Sequence, residues 1–107
     1  MDEKTEEKVR ELQIIEQNLN NMIFQKQAFQ LELSEINSAV EELNKSDGEV
    51  YKIIGNVMVK SEKDKLKKEI DEKKDIINLR VKNIEKQEKA LKVRVEELRK
   101  DVLKTMK

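Results

Sequence analysis

Cysteine, histidine, proline and tryptophan are all missing from this 107-residue chain, and its aromatic residues are limited to Phe24, Phe29 and Tyr51. Without cysteine there is neither a disulfide framework nor a thiolate nucleophile. Without histidine the commonest general base and the commonest zinc ligand are gone. No metal, cofactor or redox chemistry is expected, and no residue is assigned a catalytic role. Glycine occurs only at Gly48 and Gly55, too sparsely for a phosphate-cradling loop, so nucleotide use is not expected. The longest apolar runs, Ile14-Ile15 and Val57-Met58-Val59 among them, fall far short of the ~20 residues that span a bilayer. The first residues, MDEKTEEK, lack the apolar stretch of a signal peptide. A soluble, cytoplasmic chain with no membrane partner is the expectation.

What the chain does have is charge: 23 Lys or Arg against 23 Asp or Glu, 43% of all residues at a formal net charge of zero. Globular domains are nearer ~25% charged and ~45–50% apolar, and 36% hydrophobic content leaves too little for a broad core. Ala, Glu, Lys, Leu and Arg supply 53 residues, the composition of long helices or coiled coils. Disorder competes with that reading but usually combines high net charge with few large apolar residues. Here the net charge is zero and Leu, Ile, Val and Phe number 31.

Periodicity places the apolar residues. Leu12, Leu19, Lys26, Leu33 and Val40 recur every seven residues, and Ile15, Met22, Phe29, Ile36 and Leu43 follow them at an offset of three. Those are the a and d positions of a left-handed coiled-coil seam. A second seam runs through Ile70, Ile77, Ile84, Leu91 and Leu98 with Val81, Val95 and Val102, interrupted by Lys74 and Glu88. On its flanks Glu69 and Lys73, Glu85 and Lys89, Glu88 and Lys92, and Glu96 and Lys100 set the acid four residues before the base, the helix-supporting order.

The two seams are out of phase. Carrying the first forward would place Asp47 and Ser61 in it, so residues 44–61 interrupt the coil. Asn44, Ser46, Asp47 and Gly48 form a breaker cluster in which Gly48 is suited to a left-handed helix end. Then Val50-Tyr51-Lys52-Ile53-Ile54 and Val57-Met58-Val59-Lys60 flank Gly55-Asn56, a hairpin signature. Ser61 with Asp64 resembles a capping box, which starts the second helix near residue 62. The expected plan is mainly α and one domain over 1–107: a coiled-coil helix over 5–45, a linker and assembly hairpin over 46–61, and a second coiled-coil helix over 62–106.

Helices of about 40 residues, roughly 60 Å at ~1.5 Å per residue, must lie antiparallel when joined by a short reversal. Folding back brings Lys26 and Glu88 within about one layer of each other, a buried polar pair suited to fixing register. The hairpin carries apolar groups on both faces, and an isolated two-stranded hairpin is marginal in water. Val50, Tyr51, Ile53, Ile54, Gly55, Val57, Met58 and Val59 are therefore assigned to assembly with other chains.

Off the seam, Val9, Ile14, Ile23, Phe24, Leu31, Val93, Leu103 and Met106 are apolar where a two-helix coil is normally polar. Val9, Ile14, Leu103 and Met106 cluster near the chain ends and are candidate contacts for non-native client proteins, against the alternative of fraying ends or a wider seam. Phe24 and Leu31, seven apart, are weighed between lateral packing and client contact. The paired acids Glu6-Glu7, Glu41-Glu42 and Glu96-Glu97 read as a hydrated helix face. The basic cluster Lys63, Lys65, Lys67, Lys68, Lys73 and Lys74 is interleaved with Glu62, Asp64, Glu69, Asp71, Glu72 and Asp75, which cancel much of its field. No nucleic-acid partner is assigned, although a nucleic-acid-binding coil, like a structural or adaptor coil, remains an alternative function.

Two heptad helices enclosing one hairpin resemble the beta-type subunits of archaeal prefoldin. The resemblance rests on Val50-Tyr51-Lys52, Gly55 and Val59, on Lys63-Asp64 and Lys82 through Glu88, and on Gln25-Lys26-Gln27 and Glu41-Glu42-Leu43. A single hairpin matches the beta type, since the alpha type carries two. The resemblance implies an ATP-independent holdase subunit working with an alpha-type prefoldin subunit, two alpha with four beta. It also implies hairpins joined in an oligomeric β-barrel platform, and coils that hold unfolded proteins for a group II chaperonin.

Overall fold

A computed structural model describes residues 2–105. Helix α1 (Glu3–Lys45) leads into strands β1 (Val50–Ile54) and β2 (Val57–Ser61), and helix α2 (Lys63–Thr105) follows. The fold is mainly α, two long helices with one two-stranded antiparallel sheet between them. Among the described residues no helix is long and apolar enough to cross a membrane.

Each helix begins and ends for a local reason. At the start of α1, Asp2 Oδ1 accepts the Thr5 backbone N–H at 2.8 Å, and the Asp2 carbonyl accepts that of Glu6. The first bond satisfies an orphan donor of the first turn, and the second is the first regular rung of the helix. Its last turn tightens as Ser46 N–H bonds the Leu43 carbonyl. The Lys63 ammonium then donates to the Ser46 carbonyl at 3.0 Å, a cation at the negative helix end. These contacts account for a correction: Gly48 does not take the expected left-handed conformation, and the positive φ belongs to Gly55. Ser61 is also not the cap of α2. It is the last residue of β2, paired with Val50, and Glu62 stands at the cap position with its carbonyl accepting Leu66 N–H.

Packing falls into two compact units. In the first, the part of α1 up to Gln27 packs with the part of α2 from Val81. Ile15, Val95 and Leu98 form its core with Leu12, Leu19 and Leu91 against them, and Leu98 is completely buried. The segments run antiparallel, as the ion pairs Lys8–Asp101, Glu11–Arg94, Glu16–Arg99 and Lys26–Glu88 show. The second unit, Ala28–Arg80, contains the hairpin and buries Ile36, Leu43 and Ile77, with Lys73 bridging to Glu32 at 3.3 Å. Every heptad position named above, on both helices, is buried or half-buried. The a position one heptad before Leu12 is Thr5, itself buried.

Candidate functional site: an apolar hairpin and a polar seam layer

The hairpin closes through Gly55-Asn56, with Ile54 opposite Val57, Ile53 opposite Met58, Lys52 opposite Val59 and Tyr51 opposite Lys60. Gly55 has φ of 61° and Asn56 a negative φ, so only the first turn residue is left-handed, as in a type II′ turn. Alternation puts Tyr51, Ile53, Met58 and Lys60 on one face and Val50, Lys52, Ile54, Val57, Val59 and Ser61 on the other. Ile53 and Met58 are 70% and 65% exposed, and Tyr51, Ile54, Val57 and Val59 are exposed as well. Only Val50 and Lys52, at the base of β1, and Ser61, at the end of β2, are half-buried. Both faces therefore present apolar side chains to solvent, an arrangement that a two-stranded unit does not sustain alone.

Charged groups fix the base of this hairpin. Lys52 Nζ donates to Glu69 Oε2 at 2.7 Å, tying β1 to α2, and the bond holds the Glu69 carboxyl below its ordinary range. On the other face Glu49 accepts from Tyr51 Oη at 2.6 Å and from Lys60 Nζ at 2.9 Å. These bonds, the tyrosine's first, lower the Glu49 pKa, and the same contact raises that of Tyr51.

In the first unit, Lys26 Nζ donates to Glu88 Oε1 at 2.8 Å. The Glu88 side chain is 7% exposed and that of Lys26 26%. Hydrogen bonding to Glu88 raises the Lys26 pKa. Among the described residues no buried side-chain nitrogen or oxygen lacks a partner, so the polar layer is complete.

Of the residues assigned to client contact, Ile14 and Leu103 are exposed, Val9 is half-buried and Met106 lies outside the described residues. Phe24 and Leu31 are exposed on α1. Sequence reasoning passed over exposed Ile76 and Leu79, which counting from the second heptad would have placed off the seam. It also passed over the Lys52–Glu69 and Lys63–Ser46 ties, which have no signature in a linear pattern. Among the described residues no cluster of acids holds metal-ligand spacing.

An exposed apolar hairpin carried on a two-helix coil defines a coil-forming subunit. The family model described as "Prefoldin subunit" matches residues 6–107. The chain is 38% identical over 93 residues to the prefoldin subunit beta of Sulfurisphaera tokodaii and to that of Sulfolobus acidocaldarius, covering 85% of this chain and 74% of each relative. The crystal structure of the prefoldin beta subunit from Thermococcus strain KS-1 superposes with a TM-score of 0.88 at 32% identity, covering 97% of this chain and 93% of that one. The chain belongs to the prefoldin subunit family, as a beta-type member. It is accordingly a chaperone component and not an enzyme.

Proposed function

We propose that this chain is the beta subunit of an ATP-independent holdase. It joins an alpha-type prefoldin subunit, two alpha with four beta, through hairpins that close into a β-barrel platform. The observation that carries this reading is the exposure of Ile53 and Met58 on one face of the hairpin and of Ile54 and Val57 on the other. Burying such faces together, with new backbone ladders at the strand edges, removes the instability of a lone hairpin. Val50, Tyr51, Gly55 and Val59 complete the assembly surface.

The coils hold non-native client proteins and present them to a group II chaperonin in the cytoplasm. Ile14 and Leu103, with Val9 and Met106, supply apolar contacts near the chain ends, and Phe24 and Leu31 extend them along α1. Weak contacts from several subunits gain avidity when one client engages them together. Lys26 and Glu88 keep the coil in register.

One experiment tests assembly and capture separately. Ile53→Asp with Val57→Asp is expected to abolish the complex with an alpha-type subunit, because charge without a partner is strongly disfavoured in a sheet platform, while circular dichroism still reports helix. Val9→Ser, Ile14→Ser, Leu103→Ser and Met106→Ser together are expected to leave the complex intact and to abolish its suppression of light scattering by a diluted denatured protein, with or without ATP. Assembly of the hairpin variant at parental level would move association to the coils, and capture by the end variant would move client binding to Phe24 and Leu31.

A further inference from the structure

Met58 occupies a particular place in the hairpin. The pair closing a two-residue turn, here Ile54 and Val57, is the hydrogen-bonded kind. By alternation the next pair, Ile53 and Met58, is not. Its backbone N–H and C=O groups therefore point away from the partner strand, toward any chain that adds to either edge. Met58 thus offers an incoming strand both a main-chain docking point and an apolar side chain, and it is 65% exposed. The chain has no cysteine and four methionines. Met22 is half-buried in the α1 seam, and Met1 and Met106 lie outside the described residues.

We infer that Met58 is an oxidation site through which hydroperoxides control assembly of the free subunit. The inference rests on the hairpin being the assembly surface. In the reaction one oxygen atom passes from hydrogen peroxide to the Met58 sulfur. The O–O bond breaks and an S=O bond forms; the sulfur loses two electrons and the peroxide leaves as water. The product replaces a flexible apolar thioether by a polar sulfoxide. Beside Ile53, at the docking edge, the sulfoxide oxygen must give up its water to enter an apolar platform; the Tyr51 hydroxyl on this face already donates its one proton to Glu49, and the Lys60 ammonium is tethered to the same carboxylate. Burial of an unpaired polar group opposes assembly. Once assembled, Met58 is covered, so the reaction acts on free chains and spares complexes. A methionine sulfoxide reductase reverses it.

The test treats the free chain with graded hydrogen peroxide, locates the added oxygen by peptide mass spectrometry and measures complex formation with an alpha-type prefoldin subunit by size-exclusion chromatography. Met58 is expected to oxidise before Met22 and much faster in the free chain than in the preformed complex. Complex formation falls at least about tenfold and returns after reductase treatment. Met58→Leu is expected to assemble and to stay competent under peroxide. Met58→Gln, a polar stand-in for the sulfoxide, is expected to assemble poorly without any oxidant. Normal assembly of the Met58 sulfoxide or of Met58→Gln overturns the inference, as does an equal peroxide loss in Met58→Leu. Ile53→Asp separates the two readings. If it assembles normally, the hairpin is not the assembly surface; if it fails while the sulfoxide chain assembles, only the oxidation inference falls.

Discussion

Lys26 and Glu88, 62 residues apart in the chain, meet ammonium to carboxylate at 2.8 Å inside the seam. The pair sits where a coiled coil ordinarily places two apolar side chains, and its energetics follow from that position. Removing one partner leaves the other charge in a seam built to exclude water, whereas removing both leaves an ordinary apolar layer.

Lys26→Leu and Glu88→Leu are each expected to lower the melting temperature by several degrees, the first more, because it strands Glu88, the more buried of the two charges. The double variant is expected to return to or exceed the parental value. Thermal melts followed by circular dichroism supply the cycle, and additive single effects would show that the two groups do not sense each other.

Leu98 is the most deeply buried large side chain described. Leu98→Ala is expected to cost about 2–5 kcal/mol, against roughly 0.5 kcal/mol or less for exposed Leu79→Ala. Urea unfolding of both variants under one set of assembly conditions checks the contrast.

Stability is expected to be flat across neutral pH and to fall on both sides. The Glu69 and Glu49 carboxyls are held below their ordinary 4.5, the first by Lys52 and the second by Tyr51 and Lys60. Their contributions are present above that value and are lost as pH falls through the depressed folded values. Lys26 and Tyr51 are raised above 10.5 and 10.0 by Glu88 and Glu49. Their contributions are present below those values and are lost as pH rises through the elevated folded ones. Melting temperatures between pH 3 and 7 should therefore drop less steeply for Glu69→Gln, which has no proton to gain at that site. An unchanged slope would show that the Lys52 tie does not stabilise the fold.

Helices, seam and hairpin were legible in the chain because their signals are local. A 3.5-residue apolar repeat selects one helix face whatever packs on it, and Gly55-Asn56 between β-branched runs sets a two-residue turn by the backbone freedom of its first member. The same repeat, carried one heptad back, explains the burial of Thr5. Helix ends were less legible, because their unpaired groups accept several partners. Ser61 has the chemistry of a cap, yet ladder bonding to Val50 draws it into β2, and the Lys63 ammonium closes α1 without the left-handed glycine that its sequence invited.

By itself, then, the sequence determined two heptad helices, the turn between the strands and a hairpin too apolar to stand alone. Composition and spacing act within a few residues of one another, and that is the range over which these features form. Only the tertiary structure decided that Lys26 sits beside Glu88 and not a layer away, that Lys52 reaches Glu69, and that Val9 is half-buried while Ile14 and Leu103 stay exposed. The reason is geometric: the contacts of a side chain outside its own helix or strand depend on register. Register is the joint outcome of every layer in the seam and of the turn that joins them, so no short stretch of the chain contains it.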